Sequence, residues 1–162
     1  MTAGIHFTEL LAYTAEETQR WKEWFTKNAS ALDLPIDIAD TGSVRRLVKH
    51  IFFVELHFSN MLLGIPPADF ESLPAGSVVE LFRISEEAND RFQKFLATAR
   101  DQDWEIRVDM GPRLSFKPSK RKCMAQALTH SIRHWAQIAT FLRQHGLKQD
   151  WNHDFLLSKA ME

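Results

Sequence analysis

Three histidines in this chain stand where helical spacing asks for an apolar residue. They are His50, His130 and His134, out of seven histidines in all. His130 and His134 are four apart, so on a helix they share one face and their rings can converge on one point. Cys123, Ala127, Gln137 and Phe141 fall on the same face, which is mostly apolar and so turns toward a core. His50 belongs to the stripe of Leu47, Val54 and Met61. A buried imidazole needs a partner on at least one nitrogen, and no carboxylate is at hand for each of the three. One divalent cation that takes a lone pair from each ring satisfies them together. Neutral imidazole is the commonest protein ligand for such an ion, and three protein ligands leave a position open for water or substrate. Imidazole nitrogens suit zinc, nickel, iron or copper. An isolated pair of histidines one turn apart is common on helices that bind nothing; the weight here comes from adding His50.

A metal held by three neutral rings keeps most of its charge. It lowers the pKa of bound water to about 7 or binds a thiolate directly. Hydrolysis would also need a general base, and Glu17 is the candidate: it falls on the apolar stripe of its helix, between Thr14 and Trp21. The alternative for Glu17 is a solvated edge residue. Tyr13, the single tyrosine, belongs near the same mouth. Cys123 lies two turns before His130 and reads as a core or cavity residue, with no base beside it to make it a nucleophile. His57 lies two turns beyond His50, roughly 10 Å along the axis, too far to share its ion but placed to line a cavity or pack in a core or interface.

These side chains are carried by four long helical patterns, which make the chain all-α, a four-helix bundle. Helix one runs from about Thr8 to Asn28 on a stripe of Leu10, Thr14, Trp21, Trp24 and Phe25. Helix two, about Ser43 to Leu63, is apolar nearly all round. Helix three opens on a capping box, Ser77 to Glu80, in which each residue satisfies the other's backbone N–H. Its stripe is Leu81, Ala88, Phe92, Phe95, Leu96 and Ala99. Helix four, about Ser119 to His145, stops at Gly146. Residues 64–76 and 29–42 carry the prolines and glycines of loops. Between helices three and four, Glu105–Val108 and Arg113–Phe116 alternate around Gly111-Pro112, so a small β-hairpin is expected there. The segment from Asp150 to Glu162 should pack on the bundle as a strap, because Trp151, Phe155, Leu156 and Leu157 are worth several kcal/mol if buried.

Composition narrows the function classes. The 162 residues suit one domain, 1–162, with a core of about 8–146. A net charge of -1 supplies no basic field for nucleic acid or an anionic membrane. A single cysteine excludes an internal disulfide framework and fits a reducing compartment. No apolar run approaches the roughly 20 residues of a membrane span, and Met1–Thr8 has no signal-peptide pattern. The expectation is a cytoplasmic protein without nucleic-acid or membrane partners.

The string from Leu128 to Gly146 resembles the closing signature of the DinB-like, YfiT-like metal-binding bundles: His130, His134, Gln137-Ile138, then Leu142-Arg143 and Gly146. His50-Ile51 and Glu55 are similar to the family's helix-two motif. Where that family often has His-Arg-Gly-Gln at the third ligand, this chain has His134-Trp135-Ala136-Gln137. A basic cluster, Lys117, Lys120, Arg121 and Lys122, also opens helix four, where positive charge opposes the helix dipole. The resemblance covers about residues 8–146. It implies an up-down-down-up order of helices, a zinc or nickel ion on the three histidines, and often a dimer. Some such proteins transfer low-molecular-weight thiols.

Two function classes follow. One is a metal-dependent enzyme, a thiol S-transferase or small hydrolase, acting on a small thiol or electrophile. The other is a non-catalytic bundle that an ion stabilises or whose cavity holds a ligand. A homodimer is expected because helix two carries Phe52, Phe53, Leu56 and Leu63 away from the His50 stripe, a large apolar patch for a monomer.

Overall fold

The computed structural model describes residues 4–111 and 115–161. Its elements are α1 (Phe7–Lys27), a 3-10 turn (Ala29–Asp33), α2 (Val44–Leu63), α3 (Val78–Thr98), a one-turn α4 (Asp101–Trp104), α5 (Lys120–Gln144) and a last 3-10 turn (Phe155–Leu157). The four long helices begin and end where their local chemistry says they should. The Ser43, Ser77 and Ser119 side chains accept from the backbone N–H groups of Arg46, Glu80 and Lys122, and Glu80 completes its capping box. α2 ends on Gly64, whose φ of 70° is the left-handed conformation that glycine takes without penalty.

Pairings between side chains give the directions. Phe52 meets Phe82, Glu55 meets Ser85 and Asn60 meets Arg91, so α2 and α3 run parallel. Leu62 meets Lys120, Glu55 meets Ser131 and His50 meets His130, so α2 and α5 run antiparallel. Lys22 meets Glu86, while Thr8 shares a surface groove with Leu96, so α1 opposes α3. The order is up-down-down-up. Two successive parallel helices need a connection that returns along their length, which is why 14 residues separate α2 from α3.

The core is continuous through all four helices and is richest in aromatic rings. Trp21 is fully buried and stacks on Trp135 at 5.0 Å between centroids and 12° between planes. Phe52 meets Trp135 edge-on. Trp135, the bulky residue next to His134, is thus taken up by α1 and α2. Fully burying side chains of this size contributes on the order of 2–3 kcal/mol each.

Three expectations change in the structure. First, Phe52 and Leu56 face the core, 0% and 4% exposed, and Phe53 is half-covered by Phe70 of the chain's own loop at 5.4 Å. Much of the apolar girth of α2 is thus taken up by α3, α5 and the returning loop, while Phe53 and Leu63 stay partly exposed. Second, no hairpin strands form among the described residues. Residues 106–108 pair instead with 118–120, through one antiparallel bridge between Arg107 and Ser119 at the start of α5. Arg113 and Leu114, in the expected second arm, lie outside the described residues. Third, the C-terminal strap docks only in part. Trp151 and Phe155 pack against Trp21 and Tyr13, but Leu156 is 89% exposed and Leu157 53%.

The basic start of α5 is absorbed by its surroundings. Lys117 pairs with Asp109 and Arg121 with Glu105. Lys120 donates to the Leu62 carbonyl at 2.6 Å, placing its charge on the C-terminal end of α2, where a cation is favoured.

Candidate metal centre

α5 presents His130 and His134 one turn apart, and α2, antiparallel beside it, presents His50. The three Nε2 atoms converge: His130 Nε2 is 3.1 Å from both His50 Nε2 and His134 Nε2. His130 and His134 are buried and His50 is half-buried. Each ring offers one ligand atom, and these atoms all lie within 4.8 Å of one another. A neutral ring brings either one proton or one lone pair to its Nε2, so the two 3.1 Å contacts of His130 cannot both be linear hydrogen bonds. Two nitrogens at about 2.1 Å from a common ion would stand about 3.1 Å apart at an angle of about 95°. The donor set therefore fits one ion of the imidazole-binding class.

Neighbouring groups prepare the rings for that role. Gln137 Oε1 lies 2.7 Å from His134 Nδ1 and accepts its proton, which leaves the Nε2 lone pair free. Burial holds the His50, His130 and His134 rings below their ordinary proton affinity, His130 down to about 3. For His50 and His130, proximity to the other rings adds to this, and the Arg133 charge acts in the same direction on all three. The shift of all three is toward the neutral form, the form a ligand must have, although the Gln137 hydrogen bond opposes it in part at His134. His130 Nδ1 is buried without a protein partner.

Glu17 is placed elsewhere. It is only 5% exposed, so it is not a solvated edge residue. Its carboxylate accepts from Trp151 Nε1 at 3.1 Å and pairs with His153 Nδ1, so its hydrogen bonds run to the strap. Tyr13 joins the same group by donating to the His153 carbonyl. Cys123 is a free thiol in the core, its pKa raised by burial. His57 packs on Phe53 and Phe58 with Nδ1 unpartnered, its proton affinity lowered by burial.

Two polar side chains near the site, Glu55 and Arg133, have surroundings that spacing alone does not give. Glu55 is buried in the core against Ser85 and Ser131, and burial raises its pKa to about 7 despite both hydroxyls. Arg133 brings its Nη2 to 3.2 Å from His134 Nε2. The position of Glu55 one turn and a residue after His50 was visible, but its partners come from two other helices. Arg133 looks like any exposed arginine until the ring beside it is located.

Comparison with known proteins agrees with the fold. The profile of the DinB family matches residues 1–161. Among solved structures, the chain is similar to a DinB-like protein, YjoA, of Bacillus subtilis. The TM-score is 0.58 and the identity 18%, covering 86% of this chain and 91% of that one. No match is found among curated protein sequences. With nearly its whole length matched and its helices in the up-down-down-up order, the chain belongs to the DinB family.

Proposed function

We propose that this protein binds one divalent transition-metal ion, zinc or nickel, through His50, His130 and His134, and acts through it as a metal-dependent enzyme of the thiol S-transferase or small hydrolase type. The observation that carries the reading is the meeting of three neutral Nε2 lone pairs, one from α2 and two from α5. Bound there, the ion would supply a Lewis acid for a thiolate or a water. The chain's own residues do the rest: Gln137 orients His134, burial keeps the rings unprotonated, and the half-buried side of His50 leaves an approach for a small molecule. Among the described residues no fourth histidine, cysteine or carboxylate joins the cluster, which favours an open position over the alternative of a sealed, purely structural ion. Glu17 is assigned to anchoring the strap rather than to general base catalysis, since both its oxygens are engaged there.

The test is elemental analysis of the purified protein beside His50→Ala, His130→Ala and His134→Ala. The expected result is about one metal per chain in the parent and a loss of tenfold or more in affinity in each variant. Unchanged metal content in the variants would refute the site. A screen of the loaded protein with thiols and electrophiles, and separately with esters and amides, then divides transferase from hydrolase; turnover of neither class leaves the non-catalytic reading.

A further inference from the structure

The helices that build the metal centre are short of negative charge. The 25 residues of α5 include Lys120, Arg121, Lys122, Arg133 and Arg143 and no aspartate or glutamate. The 20 of α2 include Arg45, Arg46 and Lys49 against one acid, Glu55, whose carboxyl group points to Ser85 and Ser131 in the core. Most of these cations are already occupied. Arg45 pairs with Asp33, Arg46 with Glu71 and Arg121 with Glu105. Lys49 is buried with its ammonium 4.6 Å from the centre of the Phe70 ring, and Lys120 caps α2.

Arg133 differs by where it lies. Like Arg143 it is in none of the ion pairs among the described residues, but it reaches the histidine cluster. Its guanidinium reaches 3.2 Å from His134 Nε2, the atom that faces the other two rings. A divalent ion on the three imidazoles would therefore sit beside a guanidinium with no acid between them to offset either charge. Like charges this close repel by several kcal/mol unless an anion intervenes. The guanidinium is a planar fork that matches a carboxylate in two parallel hydrogen bonds. One fork matches one singly charged planar group and leaves the second charge of a phosphate dianion without a partner of its own.

We infer that Arg133 is a positioning residue that grips a carboxylate on the small molecule occupying the open position of the metal centre. This rests on the metal reading above, and the two can fail separately. The ligand then carries a metal-binding atom and a carboxylate a few bonds apart. Arg133, exposed at the mouth and one residue from a ligand, selects for the second group.

The experiment uses the full chain loaded with cobalt and two thiols as probes, mercaptoacetate and the uncharged 2-mercaptoethanol, followed by the thiolate-to-metal absorption band. The quantity compared is the ratio of the two dissociation constants in each protein, so that intrinsic thiol acidity cancels. Arg133→Gln should hold at least as much metal as the parent and should lower the preference for mercaptoacetate by about tenfold, the effect of a hydrogen-bonded charge pair. Arg133→Lys should keep part of that preference. If Arg133→Gln binds metal and keeps the parent's ratio, the inference is overturned while the metal centre stands. If the parent takes up no metal, both fall.

Discussion

Glu55 stands between two opposing influences. The hydroxyls of Ser131, 2.6 Å from Oε1, and of Ser85, 3.0 Å from Oε2, donate to its carboxylate and favour the ionised form. Burial outweighs them and pushes the Glu55 pKa up to about 7. The sign of its effect on stability follows. The fold holds this proton more tightly than the unfolded chain, whose carboxyl titrates near 4.5. The resulting stabilisation is therefore complete below about pH 4.5 and is lost as pH rises through about 7, a swing of about 3 kcal/mol. Glu55→Gln, which has no proton to lose, should match the parent near pH 4.5 and exceed it by up to about 3 kcal/mol at pH 8.5. Urea unfolding of both proteins at the two pH values checks this; parallel behaviour across the range would show that Glu55 is ionised in the fold. At this scale the histidines were legible because spacing alone puts two rings on one face. The environment of Glu55 was not, because it depends on the parallel register of α2 with α3, which spacing within one helix does not contain.

Helices and their ends were the most legible elements. Serine caps and a glycine stop are local chemistry, so their residues announce the boundaries of α2, α3 and α5. The expected hairpin failed for a physical reason: residues 106–108 find partners at the cap of α5, where the backbone of Pro118 and Lys120 is available. The strap was legible in outline only, since apolar content cannot tell Trp151, which has a buried carboxylate to donate to, from Leu156, which has nothing to cover it. Its docking should depend on Glu17 more than on the leucines. Trp151→Ala removes both an indole packed on Trp21 and a hydrogen-bond donor to a buried carboxylate, and should cost about 3 kcal/mol. Leu156→Ala, at 89% exposure, should cost within about 0.5 kcal/mol. Limited proteolysis should release the segment beyond Leu147 faster from the first variant than from the second; equal rates would show that Glu17 does not anchor it.

For the whole molecule, α2 packs against both α3 and α5, and α1 closes the square against the same two helices. That arrangement supplies a core without an ion, so chelation should leave the fold intact. An ion on the three histidines ties α2 to α5 and binds the folded state alone. At a hundredfold excess over its dissociation constant it should add about 2.7 kcal/mol, or roughly 5–10 °C in Tm for a chain of this length. Thermal unfolding with excess zinc and with EDTA measures the difference, and unfolding on chelation at 25 °C would contradict it. No helix among the described residues is long and apolar enough to cross a membrane. With much of the α2 face covered from within the chain, sedimentation at micromolar concentration decides afresh whether two copies associate.

The bond between Glu17 and the strap also has a meaning in time. Its partners lie 134 and 136 residues further along the chain. During vectorial synthesis α1 is made before α5 and the strap, with a carboxylate on its inward face and neither of these partners yet present. Until Trp151 and His153 emerge, that charge must stay in water, so α1 cannot settle dry against α5. Closing so long a loop comes late in any folding order. A helix that precedes the other three long ones in the sequence is therefore expected to be the last of the four to lock in place.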